Sequence, residues 1–132
     1  MSQEDVEIVR GSFDVWNRGD MDAYGEQLMD TDVVVRPPAR WPEPGPFVGR
    51  DAVVRFFKQV RDAWDADLIE PISDFVDAGD RVVVRFAWSA RGRGPAAVME
   101  ISAVLMMRDG KMLSIGFFWD HAEALEAVGL RE

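Results

Sequence analysis

An α+β fold is what this sequence predicts, and three observations carry it. Apolar residues recur at helical spacing through the first half of the chain. The period drops to two from Leu68 onward, and short glycine-bearing turns cut the second half into strands. Helices first and paired strands afterwards is the order of an α+β domain rather than of alternating βαβ units.

The first helix opens at "SQED", residues 2–5, a capping box in which Ser2 caps and Asp5 stands in for glutamate. Val6, Val9, Phe13 and Trp16 then form one apolar stripe. "NRGD" at 17–20 stops it, with Gly19 suited to a left-handed C-cap. Asp20 caps a second, shorter helix carrying Met21, Tyr24 and Leu28. "DVVVRPP" at 32–38 reads as a strand ended by two prolines, which cannot donate to a sheet ladder. Residues 37–48 hold five prolines around Trp41 and read as a stiff loop, the candidate lid.

The clearest helix runs from Arg50 to about Ala66. Val53, Phe56, Phe57, Val60 and Trp64 lie on one face, and Arg55, Lys58, Gln59 and Asp62 on the other. "LIEPISDFV" at 68–76 is a strand that Pro71 confines to an edge or a bulge. After the "DAGD" turn, Val82, Val84, Phe86 and Trp88 share one strand face. After "RGRG", so do Met99, Ile101, Ala103, Leu105 and Met107, with Glu100 and Ser102 opposite. "RDGK" at 108–111 carries the Asp-Gly hairpin signal. "MLSIGFFW" is the last strand of an antiparallel meander, and "DHAEALEAVGL" is a short helix closed by Gly129.

Composition narrows the function. A chain of 132 residues with 48% apolar content is most simply one domain, residues 1–132, with a single core. There is no cysteine and one histidine, which excludes disulfides and thiol nucleophiles and leaves no metal site expected. No cofactor is expected either. The acidic start "MSQEDVEIVR" lacks the apolar core of a signal peptide, and no apolar run is long enough to cross a membrane. A cytoplasmic protein is the expectation. A net charge of −9 argues against nucleic acid and anionic membranes as partners, because phosphate binding needs clustered Lys and Arg.

Several stretches, taken together, are similar to a known family. "FDVWNRGDMDAYGEQLMDTDVVV", "GPFVGRDAVVRFF", "DAGDRVVVRF", "RDGKMLSI" and "DHAEALEAVGL" resemble SnoaL-like proteins of the nuclear transport factor 2-like superfamily, in order along nearly the whole chain. The resemblance implies a cone: a strongly curved antiparallel or mixed sheet wrapped on N-terminal helices, its open end a ligand cavity. It also implies a homodimer paired through the sheet. Relatives include ketosteroid isomerases, polyketide cyclases, an epoxide hydrolase and non-catalytic binding proteins, so fold alone does not choose an activity.

The isomerase mechanism needs a carboxylate base, a tyrosine and a protonated aspartic acid. The resemblance places Pro37 at the base, Ser12 at the tyrosine and Ala103 near the acid, so all three groups are missing. No inner strand carries the spaced Arg and Asp of the epoxide hydrolase. Catalytic candidates that remain are Asp120, His121 and Glu100. Asp120, with Glu123 three residues on, reads first as an N-cap. Strand parity turns Glu100 away from Ile101 and Ala103.

The candidate pocket residues are Trp16, Tyr24, Arg36, Trp41, Phe56, Trp64, Phe86, Trp88, Met99, Ile101, Ala103, Ile115, Phe117 and Trp119. Five tryptophans suggest flat apolar walls with a few N–H donors, suited to a small hydrophobic or aromatic molecule. The function expected is a small-molecule pocket protein, with or without cyclase-like or isomerase-like chemistry. The alternative is a non-catalytic interaction or dimerisation domain, its cone plugged by Met99, Met107 and tryptophans.

Overall fold

The computed structural model describes residues 2–64, 68–89 and 98–130. Helix α1 (Ser2–Arg18) ends where Gly19 takes φ 90°, a conformation that only glycine adopts without strain. The Asp20 side chain accepts from the Ala23 amide at 3.0 Å and starts α2 (Met21–Leu28). Strand β1 (Met29–Arg36) stops at Pro37, as the prolines require. After the proline-rich segment come a short β2 (Phe47–Val48) and α3 (Arg50–Trp64). Then follow β3 (Leu68–Pro71), β4 (Val76–Asp77), β5 (Arg81–Ser89), β6 (Val98–Arg108), β7 (Lys111–Phe118) and α4 (His121–Ala127).

The sheet runs β2-β1-β7-β6-β5-β3, with β4 also pairing β5. β5, β6 and β7 form the expected antiparallel meander, turned between β6 and β7 at Asp109 and Gly110, both in the left-handed region. β1 joins β7 in parallel, so the sheet is mixed, one of the two forms that the resemblance implies. Two features lie outside the sequence expectation: β2 adds an antiparallel edge within the stretch read as loop, and the strand read over 68–76 is two, β3 and β4. Register shifts within β1 and near the end of β6 mark bulges, which bend the strands around the helices.

The concave face and the helices share one large core. Val9, Val33, Val35, Val53, Met29 and Met112 are fully buried in it. On α3, burying Val53, Phe56, Phe57 and Val60 stabilises the fold by about 1.5–3 kcal/mol each. A smaller cluster lies on the outer face, where Ala124 of α4 packs on Val83 and Val104.

Candidate functional site

Between sheet and helices lies a cavity of about 90 Å³. α1 contributes Val9, Ser12, Phe13 and Trp16, α2 contributes Tyr24, and α3 contributes Phe56, Phe57 and Val60. The sheet side follows strand parity: Val84, Phe86 and Trp88 from β5, Ile101, Ala103 and Leu105 from β6, Ile115 and Phe117 from β7. Trp16, Tyr24 and Phe57 form a triangle of edge-to-face rings, with centroids 5.9, 5.2 and 5.8 Å apart.

Few polar groups interrupt these walls. Ser12 Oγ donates back to the Val9 carbonyl at 2.6 Å. The Tyr24 hydroxyl rests on Met112 Sδ, 3.9 Å away and a weak acceptor. Burial pushes the Tyr24 pKa up to about 12, against a smaller downward pull from Ser12. The phenol is therefore a neutral donor throughout the physiological range. Trp16 Nε1 is buried without a partner, and the Arg61 guanidinium lies 5.1 Å from the Trp16 ring. Among the described residues, no Asp, Glu, His, Lys or Arg lines the cavity.

Of the lining residues, Pro37, Trp41, Ile69 and Phe117 are half-buried, and all the others are buried. The mouth therefore lies between the proline-rich segment, β3 and β7. Trp41 stacks on Trp88 (5.9 Å, 23°) and tilts against Trp119 (6.2 Å, 32°). Trp119 Nε1 donates to the Ala39 carbonyl at 2.7 Å, tying that segment to the end of β7.

A hollow α+β cone is shared by many proteins, so comparison with known families decides the assignment. The family model for the SnoaL-like domain matches residues 9–115. The chain belongs to the SnoaL-like domain family. Solved structures agree on the fold. A proposed polyketide cyclase from Sinorhizobium meliloti is 26% identical, with a TM-score of 0.68, over 84% of this chain and 93% of that one. TerC, co-crystallised with polyporic acid, is 22% identical, with a TM-score of 0.73, over 95% and 98%. A nuclear transport factor 2-like protein of unknown function from Burkholderia pseudomallei is 22% identical, with a TM-score of 0.70, over 96% and 98%. No curated protein matches the chain.

Within this SnoaL-like cone, Trp16, Tyr24, Trp41, Phe56, Phe86, Trp88, Ile101, Ala103, Ile115 and Phe117 all meet at the cavity. Three other pocket candidates do not line it. Arg36 is exposed at the end of β1, because parity sends it opposite to Val35. Met99 is half-buried against the core, and Trp119 is 37% exposed outside the mouth. The Trp64 side chain lies outside the described residues. Val9, Ser12, Phe13, Pro37, Pro38, Phe57, Val60, Ile69, Val84 and Leu105 complete the walls unanticipated as pocket residues. Their signal was present: most belong to the same apolar stripes as residues that were singled out.

The three catalytic candidates stand away from the cavity, on or beside the sheet's outer face. Asp120 is an N-cap, accepting from the Ala122 amide at 2.8 Å. Glu100 is exposed, its carboxylate 3.7 Å from Arg85 Nε. His121 Nδ1 lies 2.8 Å from Ser102 Oγ, to which Arg85 donates at 3.0 Å. Arginine can only donate, so the Ser102 hydroxyl accepts from Arg85 and keeps its proton and a second lone pair for the contact with His121 Nδ1. Arg85 also donates to the Trp119 carbonyl at 3.2 Å. Ser102 is fully buried, and Arg85 and His121 are half-buried beside it. The trio holds α4 and the β7 end against the sheet.

Proposed function

We propose that this SnoaL-like protein binds a small, neutral, hydrophobic molecule bearing one hydrogen-bond acceptor. The observation that carries this reading is an apolar cavity lined in part by an under-used donor residue, Tyr24, with no carboxylate in its described wall. Tyr24 O–H rests on a thioether, and Trp16 N–H meets no acceptor. A buried donor left unpaired costs about 1–3 kcal/mol, which a ligand carbonyl or ether offsets. An ionic ligand would find no countercharge in these walls.

The same inventory bears on chemistry. Tyr24 can polarise a carbonyl, as an oxyanion donor does. With no carboxylate or imidazole at the cavity, the described walls offer no general base. Similarity to a proposed polyketide cyclase supports a cyclic, hydrophobic ligand class.

Ligand-observed NMR titration with acetophenone and with propylbenzene tests this. The wild type should bind the ketone more tightly than the hydrocarbon. Tyr24→Phe should weaken the ketone about tenfold, roughly 1.4 kcal/mol, and leave propylbenzene within about twofold. Equal binding of both compounds by the wild type would remove the donor from the proposal. No binding of either would end it.

A further inference from the structure

The size of the hollow and the placement of one indole point further. We infer that Trp41 is the residue that sets ligand size, restricting this cavity to a single ring. The inference rests on the cavity being a binding site, and it adds the shape of what is bound.

Three observations converge. The cavity measures about 90 Å³. That is less than the roughly 150 Å³ of an apolar cavity known to hold benzene, and far below the roughly 300–1,000 Å³ of sites for drug-sized ligands. A single ring is therefore the most this volume can seat, with its substituents reaching towards the half-buried residues of the mouth. Secondly, the inner walls cannot easily give way. Trp16, Tyr24 and Phe57 brace one another edge to face, and Phe13 meets Phe86 at 5.7 Å in the same manner. The space for a second ring must therefore come from the mouth.

Thirdly, the mouth is already occupied by a ring. Trp41 is half-buried, lines the cavity at its mouth and is stacked on Trp88. Its segment is held from both ends. Trp119 Nε1 bonds the Ala39 carbonyl at 2.7 Å, and Phe47 stacks on Phe56 at 4.0 Å and 16°. A two-ring ligand must displace the indole and break this stack. A one-ring ligand need not.

The consequence opposes simple hydrophobicity. A larger aromatic surface normally strengthens binding in proportion to the area buried. Here the order inverts. Acetophenone and 2-acetonaphthone carry the same acceptor on one ring and two, and titration of each separates the cases. The wild type should bind acetophenone at least tenfold more tightly. Trp41→Ala should reverse the preference, with 2-acetonaphthone gaining at least tenfold. Trp41→Phe, a smaller change to the same stack, should fall between.

A wild type that binds the two-ring ketone as well as or better than the one-ring ketone overturns the size limit and leaves the binding reading standing. So does a folded Trp41→Ala protein whose preference is unchanged. Failure of both ketones on both proteins overturns the binding reading itself, and this inference with it. The wild-type comparison decides the size limit even if Trp41→Ala does not fold.

Discussion

Tyr24 concentrates the physical chemistry of the site in one residue. Its ring lies against Trp16 and Phe57, and its hydroxyl faces a thioether, so a phenolate there would lose its hydration and gain little. Burial raises its pKa from 10.0 to about 12. Between those values the folded protein keeps a proton that the unfolded chain releases. Stability from this residue is thus complete below pH 10 and declines as pH climbs towards 12, by roughly 1.4 kcal/mol per unit. Tyr24 is the only tyrosine in the chain, so phenolate absorbance has a single source. Native protein should show no phenolate signal at pH 10.5, and Tyr24→Phe should flatten the alkaline limb of denaturation midpoints. A native titration midpoint near 10 would show that the hydroxyl is solvated.

At the scale of elements, the packing of α2 on α3 depends on a missing side chain. A Cβ on Gly25 would lie 2.5 Å from Val54 Cγ2 and 3.6 Å from Arg50 Cγ. Gly25→Ala would gain up to about 1 kcal/mol in helix propensity, but overpacking against a stiff β-branched neighbour costs about 1–3 kcal/mol. The substitution should lower stability by about 1 kcal/mol. Val54→Ala in the same chain should recover most of it, a coupling readable in a double-mutant cycle by urea denaturation.

The elements also show what the sequence makes legible. Helix limits at Gly19, Asp20 and Asp120 follow from local cap chemistry, and strand faces follow from parity. The parallel joining of β1 to β7 is set by residues some 80 positions apart and leaves no local mark. β2 was hidden because two residues are too short for any period, and prolines precede them. For the same reason the cavity was legible only as stripes. Ile101 and Ala103 announce an inward face, but nothing local says that the face stays partly uncovered. Nor does any local pattern show that His121 meets Ser102 across the outer face.

For the whole molecule, the hollow is a stability cost, and the proposed binding gives a reason for it. At about 24 cal/mol per Å³, an empty volume of about 90 Å³ forgoes roughly 2 kcal/mol of packing. That is a large share of the stability typical of a domain. Ala103 is where the cost can be recovered. It is buried, lines the cavity, and sits between Val84 and Phe117 in the sheet register. A leucine there projects into the void and removes space that a ligand ring would need. Ala103→Leu should raise stability by about 1–2 kcal/mol in urea denaturation and abolish acetophenone binding, the trade-off expected where function requires an imperfect core. A destabilised Ala103→Leu protein would mean that the void does not adjoin position 103. A stabilised protein that still binds acetophenone would place the ligand outside the cone.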